Sequence, residues 1–101
     1  MANIMLACAQ GMSTSFLVER MQRAAQTMKL EGKIWAVGSG QIQDESRNAD
    51  IILLGPQIRF RKAEIEKQIG HRCPVEIIDM LDYGFMNGEA VLKKALKMLE
   101  S

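Results

Sequence analysis

The chain has 101 residues, 48% apolar and 25% charged, with a formal net charge of +1. Those totals predict one soluble globular domain over residues 1–101 and exclude the basic face expected of a nucleic-acid binder. No apolar run approaches the roughly 20 residues that span a bilayer, no signal peptide opens the chain, and two cysteines without C-x-x-C spacing argue against a disulfide framework or a zinc site.

Taken in chain order, Asn3–Cys8 predicts a first strand, whose unbroken run Ile4-Met5-Leu6-Ala7 suits burial on both faces. Leu17, Met21, Ala24, Ala25 and Met28 then fall at helical spacing and predict a helix from about Ser15 to Lys29, stopped by Gly32. Lys33–Gly38 predicts a second strand. The polar stretch Gln41–Asn48 offers at most a short helical turn. Asp50–Leu54 predicts a third strand. After it, Ile58, Ile65 and Ile69 mark the inner face of a second helix, with Arg59, Arg61, Lys62, Glu64, Glu66 and Lys67 on its solvated side. Val75–Ile78 predicts a fourth strand. The chain closes on a helical stripe of Val91, Leu92, Ala95, Leu96 and Leu99, with Asn87 as its N-cap.

Alternating strands and helices imply an α/β fold, an open four-stranded parallel sheet with right-handed crossovers and helices on both faces. The first and third strands hold uninterrupted apolar runs, Ile4–Ala7 and Ile51–Leu54, whereas Lys33 and Glu76 mark the second and fourth as edges. The order 2-1-3-4 satisfies both observations. It places a switch point between the first and third strands, where such sheets bind ligands beyond their carboxyl ends. Cys8–Ser15 and Gly55-Pro56-Gln57 are the two loops bordering that crevice.

The first of these loops carries the chemistry. Cys8 stands at the carboxyl end of a strand, followed by Ala9, Gln10, Gly11, Met12, Ser13, Thr14 and Ser15 at a helix start. Such a loop can aim backbone N–H groups at one point, and the helix N-terminus adds partial positive charge there. The same field favours thiolate over thiol. A terminal-strand cysteine can also be a small buried hydrophobe, and a serine can be a mere cap. One cap, however, needs only one of the three hydroxyls. No G-x-x-x-x-G-K-[ST] is present, and Gly38 and Gly40 do not extend to G-x-G-x-x-G. Low-molecular-weight tyrosine phosphatases carry a similar loop, C-x5-R-[ST]; here Ser15 fits the last position but Thr14 replaces the arginine. Without that guanidinium on the equatorial oxygens, a phosphocysteine should form only from a high-energy donor and should resist water. A covalent carrier leads. A phosphatase-like hydrolase, and a non-catalytic adaptor that binds a phosphorylated partner, stay open beside it.

Other reactive residues have plainer explanations. Cys73, at the amino end of the fourth strand, reads as an inert thiol remote from the crevice, and His71 as a solvated loop residue. Asp79, Asp82 and Tyr83 follow the fourth strand and read as caps and turn formers. The methionines are core filler, except that Met12 sits in the loop and suits an adaptable partner contact.

The octet Cys8–Ser15 resembles the active loop of enzyme IIB components of the bacterial phosphoenolpyruvate-dependent sugar phosphotransferase system. It is most similar to the lactose/cellobiose type, in its cellobiose and N,N′-diacetylchitobiose branch. Asn48–Ile58 and Pro74–Asp79 with Tyr83-Gly84 look like further blocks of that family, and the similarity runs nearly the whole length. The resemblance implies that Cys8 is the phosphocysteine, with residues 9–15 holding the phosphoryl oxygens. It implies two transient partners: enzyme IIA as phosphohistidine donor, and the membrane component enzyme IIC, with its bound disaccharide-type sugar, as acceptor. It implies neither cofactor nor metal, and a monomer working in the cytoplasm at the inner face of the membrane.

Overall fold

Four parallel strands, β1 (Ala2–Cys8), β2 (Gly32–Gly38), β3 (Ile51–Leu54) and β4 (Val75–Ile77), form one sheet in the order β2-β1-β3-β4. The helices are α1 (Met12–Thr27), α2 (Ile42–Glu45), α3 (Lys62–Gln68), α4 (Met80–Gly84) and α5 (Gly88–Glu100). The structure is a computed structural model that describes residues 2–8 and 12–100, with residues 12 and 13 as backbone alone. The strand order and the two-faced α/β architecture are those expected from the sequence.

Period-two alternation along β1 divides the core into two layers. Ile4 and Leu6, joined by Ile34, Ile51 and Leu53, meet Leu17 and Met21 of α1 and Val91, Leu92 and Ala95 of α5. On the opposite face Met5 and Ala7, with Val37, Ile52, Leu54 and Val75, meet Ile42 of α2 and Ile65 of α3. Both central strands are therefore sealed on both sides. The edges are guarded by charge. On β2, Lys33 Nζ lies 4.7 Å from the centre of the Trp35 ring, and on β4 Glu76 lies 3.5 Å from Lys62 Nζ.

The helix ends depart from expectation in two places. α1 begins at Met12 rather than Ser15, so Ser13, Thr14 and Ser15 belong to its first turn. It ends at Thr27 because Lys29 adopts φ 56° and closes a Schellman pair, Leu30 N–H to Ala25 O at 2.9 Å and Lys29 N–H to Gln26 O at 3.1 Å. Gly32, the expected stop, instead opens β2 with φ 134°, where a Cβ would overlap the Ala2 carbonyl. The second predicted helix is also divided. Pro56–Arg61 is a 3-10 turn in which Ile58 leaves helical dihedrals (φ −117°, ψ 23°), and α3 starts only at Lys62. Gln41–Asn48 does hold a short helix, α2, flanked by 3-10 turns. Asn87 caps α5 as expected, its Oδ1 accepting from Ala90 N–H at 3.1 Å. Among the described residues, no helix is long and apolar enough to cross a membrane.

Candidate functional site

β1 carries Cys8 to the carboxyl edge of the sheet. Its register sets Cys8 opposite Gly38 on β2 and Ala7 opposite Leu54 on β3. One further ladder bond, Gly55 N–H to Ala7 O at 2.8 Å, draws the loop after β3 alongside the cysteine. β1 passes to β2 on one side, while β3 leads to β4 on the other, so Cys8 occupies the topological switch point.

The thiol is enclosed: Cys8 is 2% exposed and Thr14 0%. Cys8 Sγ and Thr14 Oγ1 are 2.7 Å apart, a hydrogen bond that either atom can donate. Thr14 reaches back to the sulfur because it lies on the first turn of α1, whose N-terminal field points to the same place. The position at which a phosphatase loop presents a guanidinium thus holds a neutral hydroxyl turned onto the thiol. Ser15, on the same turn, is exposed. Of the other expected cradle residues, Ala9, Gln10 and Gly11 lie outside the described residues. Met12 and Ser13 contribute backbone to α1, and their side chains also lie outside the described residues.

Gly55-Pro56-Gln57 forms the other wall. Pro56 opens the 3-10 turn with its fixed φ, and Arg59 Nη1 donates to Pro56 O at 2.8 Å. That turn brings the Gln57 carboxamide back over Gly55, beside Cys8. Sequence reasoning named this loop but singled out no side chain in it. The Gly-Pro pair directly after a buried strand was the available signal for a tight return.

The remaining candidates stand apart from the thiol. Cys73 precedes β4, at the opposite end of the sheet, and is half-buried. Burial pushes its thiol pKa up; Arg72 pulls it down, while Asp50 adds to the rise. His71 is exposed at the end of α3 with φ 55°. Asp79 caps α4, its Oδ1 accepting from Leu81 N–H at 2.9 Å and Asp82 N–H at 3.1 Å. The backbone bonds from Asp82 and Leu81, with Lys94 adding, hold its carboxyl below the usual range. Lys94 Nζ lies 2.6 Å from Asp82 Oδ2 and 3.9 Å from Asp79 Oδ2, pinning α4 to α5. Tyr83 is buried in the α1/α5 layer. These three residues fasten a short helix, as their capping and turn chemistry suggested.

Comparison with known proteins agrees with this geometry. Residues 3–94 match the family of the PTS system, Lactose/Cellobiose specific IIB subunit. The oligo-beta-mannoside-specific EIIB component of Bacillus subtilis (strain 168) is 42% identical over 100 residues, covering 98% of this chain and 97% of that protein. The cellobiose-specific EIIB component of Lactococcus lactis subsp. lactis (strain IL1403) is 40% identical over 102 residues, covering 95% and 94% respectively. A solution structure of the cellobiose-specific phosphotransferase IIB component from Borrelia burgdorferi has a TM-score of 0.81 at 38% identity, covering 98% of this chain and 92% of that one. The chain therefore belongs to the lactose/cellobiose-specific IIB subunit family of the sugar phosphotransferase system.

Proposed function

We propose that this IIB component carries the phosphoryl group on Cys8, as a single unit spanning residues 1–101. The observation that carries the reading is the enclosed Cys8–Thr14 pair, 2.7 Å apart at the switch point and at the start of α1. In the first step Cys8 Sγ attacks the phosphorus of a phosphohistidine on enzyme IIA. The S–P bond forms as the P–N bond breaks, and the thiol proton ends on the departing imidazole. In the second step a hydroxyl of a disaccharide-type sugar on enzyme IIC attacks the same phosphorus. The S–P bond breaks, and the sulfur regains a proton from that hydroxyl. Residues 9–15 hold the equatorial oxygens through backbone N–H groups and hydroxyls, with Thr14 offering no cation to promote attack by water.

Both partners must reach one sulfur, so their footprints overlap and each complex is short-lived. Met12, expected from the sequence to be an adaptable partner contact, has its side chain outside the described residues. Phe16, just past the first turn of α1, with Met80 and Leu81 just beyond β4, is exposed and supports an apolar rim. The chain works as a cytoplasmic monomer that visits the inner face of the membrane. Its own residues do not name the sugar.

The test is mass spectrometry after incubation with phosphoenolpyruvate, the general phosphotransfer proteins and a matched IIA. Wild-type and Cys73→Ser chains should each gain one phosphoryl group, and Cys8→Ser none. Undiminished labelling of Cys8→Ser would refute the assignment. Steady release of inorganic phosphate would return the choice to a hydrolase.

A further inference from the structure

β3 ends at Leu54, yet Gly55 still donates to Ala7 O at 2.8 Å, so its backbone runs beside the last residue of β1. A Cβ at Gly55 would stand 3.2 Å from Cys8 Cβ and 2.9 Å from Gln57 Oε1. The Gln57 carboxamide and the cysteine side chain therefore flank one small space, which is open only because residue 55 lacks a side chain. Gln57 is itself exposed, so its amide end is available to a group arriving at the crevice. The fixed ring of Pro56 and the bond from Arg59 to its carbonyl hold the turn that aims it there.

We propose that Gln57 is a phosphoryl-binding residue, supplied from the β3 side of the crevice. Gln57 Oε1 is the atom facing that space; a half-turn of the carboxamide exchanges it for Nε2, whose N–H2 then donates to an equatorial oxygen of the phosphoryl group on Cys8 Sγ, and Gly55 keeps the path between them clear. The proposal rests on the phosphocysteine reading above. Chemically, Gln57 grips a dianion with a neutral dipole. A dipole steadies the transferring group from the side without the charge that would activate the S–P bond toward water.

The experiment follows transfer from phosphorylated IIA to the intact chain by rapid quench, with 31P NMR of the phosphocysteine and circular dichroism as a fold control. Gln57→Ala should slow acceptance on the order of 10- to 100-fold, the worth of one hydrogen bond to a charged oxygen, and should move the 31P resonance. Gln57→Glu should be slower still, because a carboxylate repels the incoming group. Gly55→Ala should reproduce the Gln57→Ala defect, since its methyl group takes the carboxamide's place. A wild-type rate and an unchanged 31P shift in Gln57→Ala, with the wild-type chain labelled on Cys8, would overturn the role of Gln57 alone. A wild-type chain that takes no phosphoryl group on Cys8 would overturn the underlying reading and this one with it.

Discussion

Replacing Gly88 with alanine probes a close approach between the two helices that cover the α1/α5 face. A Cβ at Gly88 would stand 2.5 Å from Arg20 C, 2.5 Å from Met21 N and 2.6 Å from Arg20 Cβ. The first two are backbone atoms inside α1 and cannot rotate aside. To restore an ordinary contact of about 3.5 Å, the start of α5 must withdraw by about 1 Å. Two effects oppose each other. Alanine improves helix propensity by at most about 1 kcal/mol, whereas overpacking costs roughly 1–3 kcal/mol. The withdrawal also loosens Leu17, Met21, Val91 and Leu92, all fully buried in that layer. The steric effect wins, with a net loss of about 1–2 kcal/mol. In a domain of this size that lowers Tm by roughly 4–16 °C. Urea denaturation followed by circular dichroism measures it as a lower midpoint at constant slope. A midpoint equal to or above wild type would refute the close approach of α5 to α1.

Two further outcomes follow from the same coordinates. Thr14→Val keeps the volume of a wholly buried side chain but deletes the hydroxyl 2.7 Å from Cys8 Sγ. It should cost about 1 kcal/mol of stability and about tenfold in phosphoryl acceptance, while Thr14→Ser keeps both; wild-type behaviour of the valine variant would make the contact incidental. Asp79 has a carboxyl pKa held below its ordinary 3.8, so its ionised form favours the folded state. That contribution is complete above 3.8 and is lost as pH falls through the lower folded value. Asp79→Asn does not titrate, so the stability difference between the two proteins should move in its favour only on acidification past that point. A difference constant across the whole pH range would remove Asp79 from the acid response of α4.

The sheet was readable because burial writes itself into composition. Ile4–Ala7 and Ile51–Leu54 carry no polar interruption, and Lys33 and Glu76 announce edges, which suffices for the order β2-β1-β3-β4. The switch point and Cys8 follow from that order. Boundaries were harder. Three consecutive hydroxyl residues resemble a cap and point to a start near Ser15, whereas α1 begins at Met12 and Thr14 spends its hydroxyl on Cys8 from inside the first turn. Glycine is the usual left-handed stop and Gly32 the expected one, yet Lys29 takes that conformation and ends α1. Ile58, Ile65 and Ile69 all face the core, but a kink at Ile58 separates them into two elements, which spacing alone does not record. Gln57 and Gly88 were illegible for a different reason. Their significance lies in what passes within a few ångströms of a missing side chain, and that partner is distant in sequence.

Cys8 is the last rung of a strand held on both sides, by Gly38 across one ladder and by the Gly55–Ala7 bond on the other. A sulfur so anchored has little travel of its own. Under the proposed phosphocysteine route, a donor and an acceptor of different shape must each conform to the same fixed sulfur, and every adjustment falls to the rim and to the visitors. Sequence change at the rim can then reset how long each complex lasts while the bond-making step stays constant. On that proposal, one chemical cartridge is fitted to different partners by altering only the residues that never touch the phosphorus.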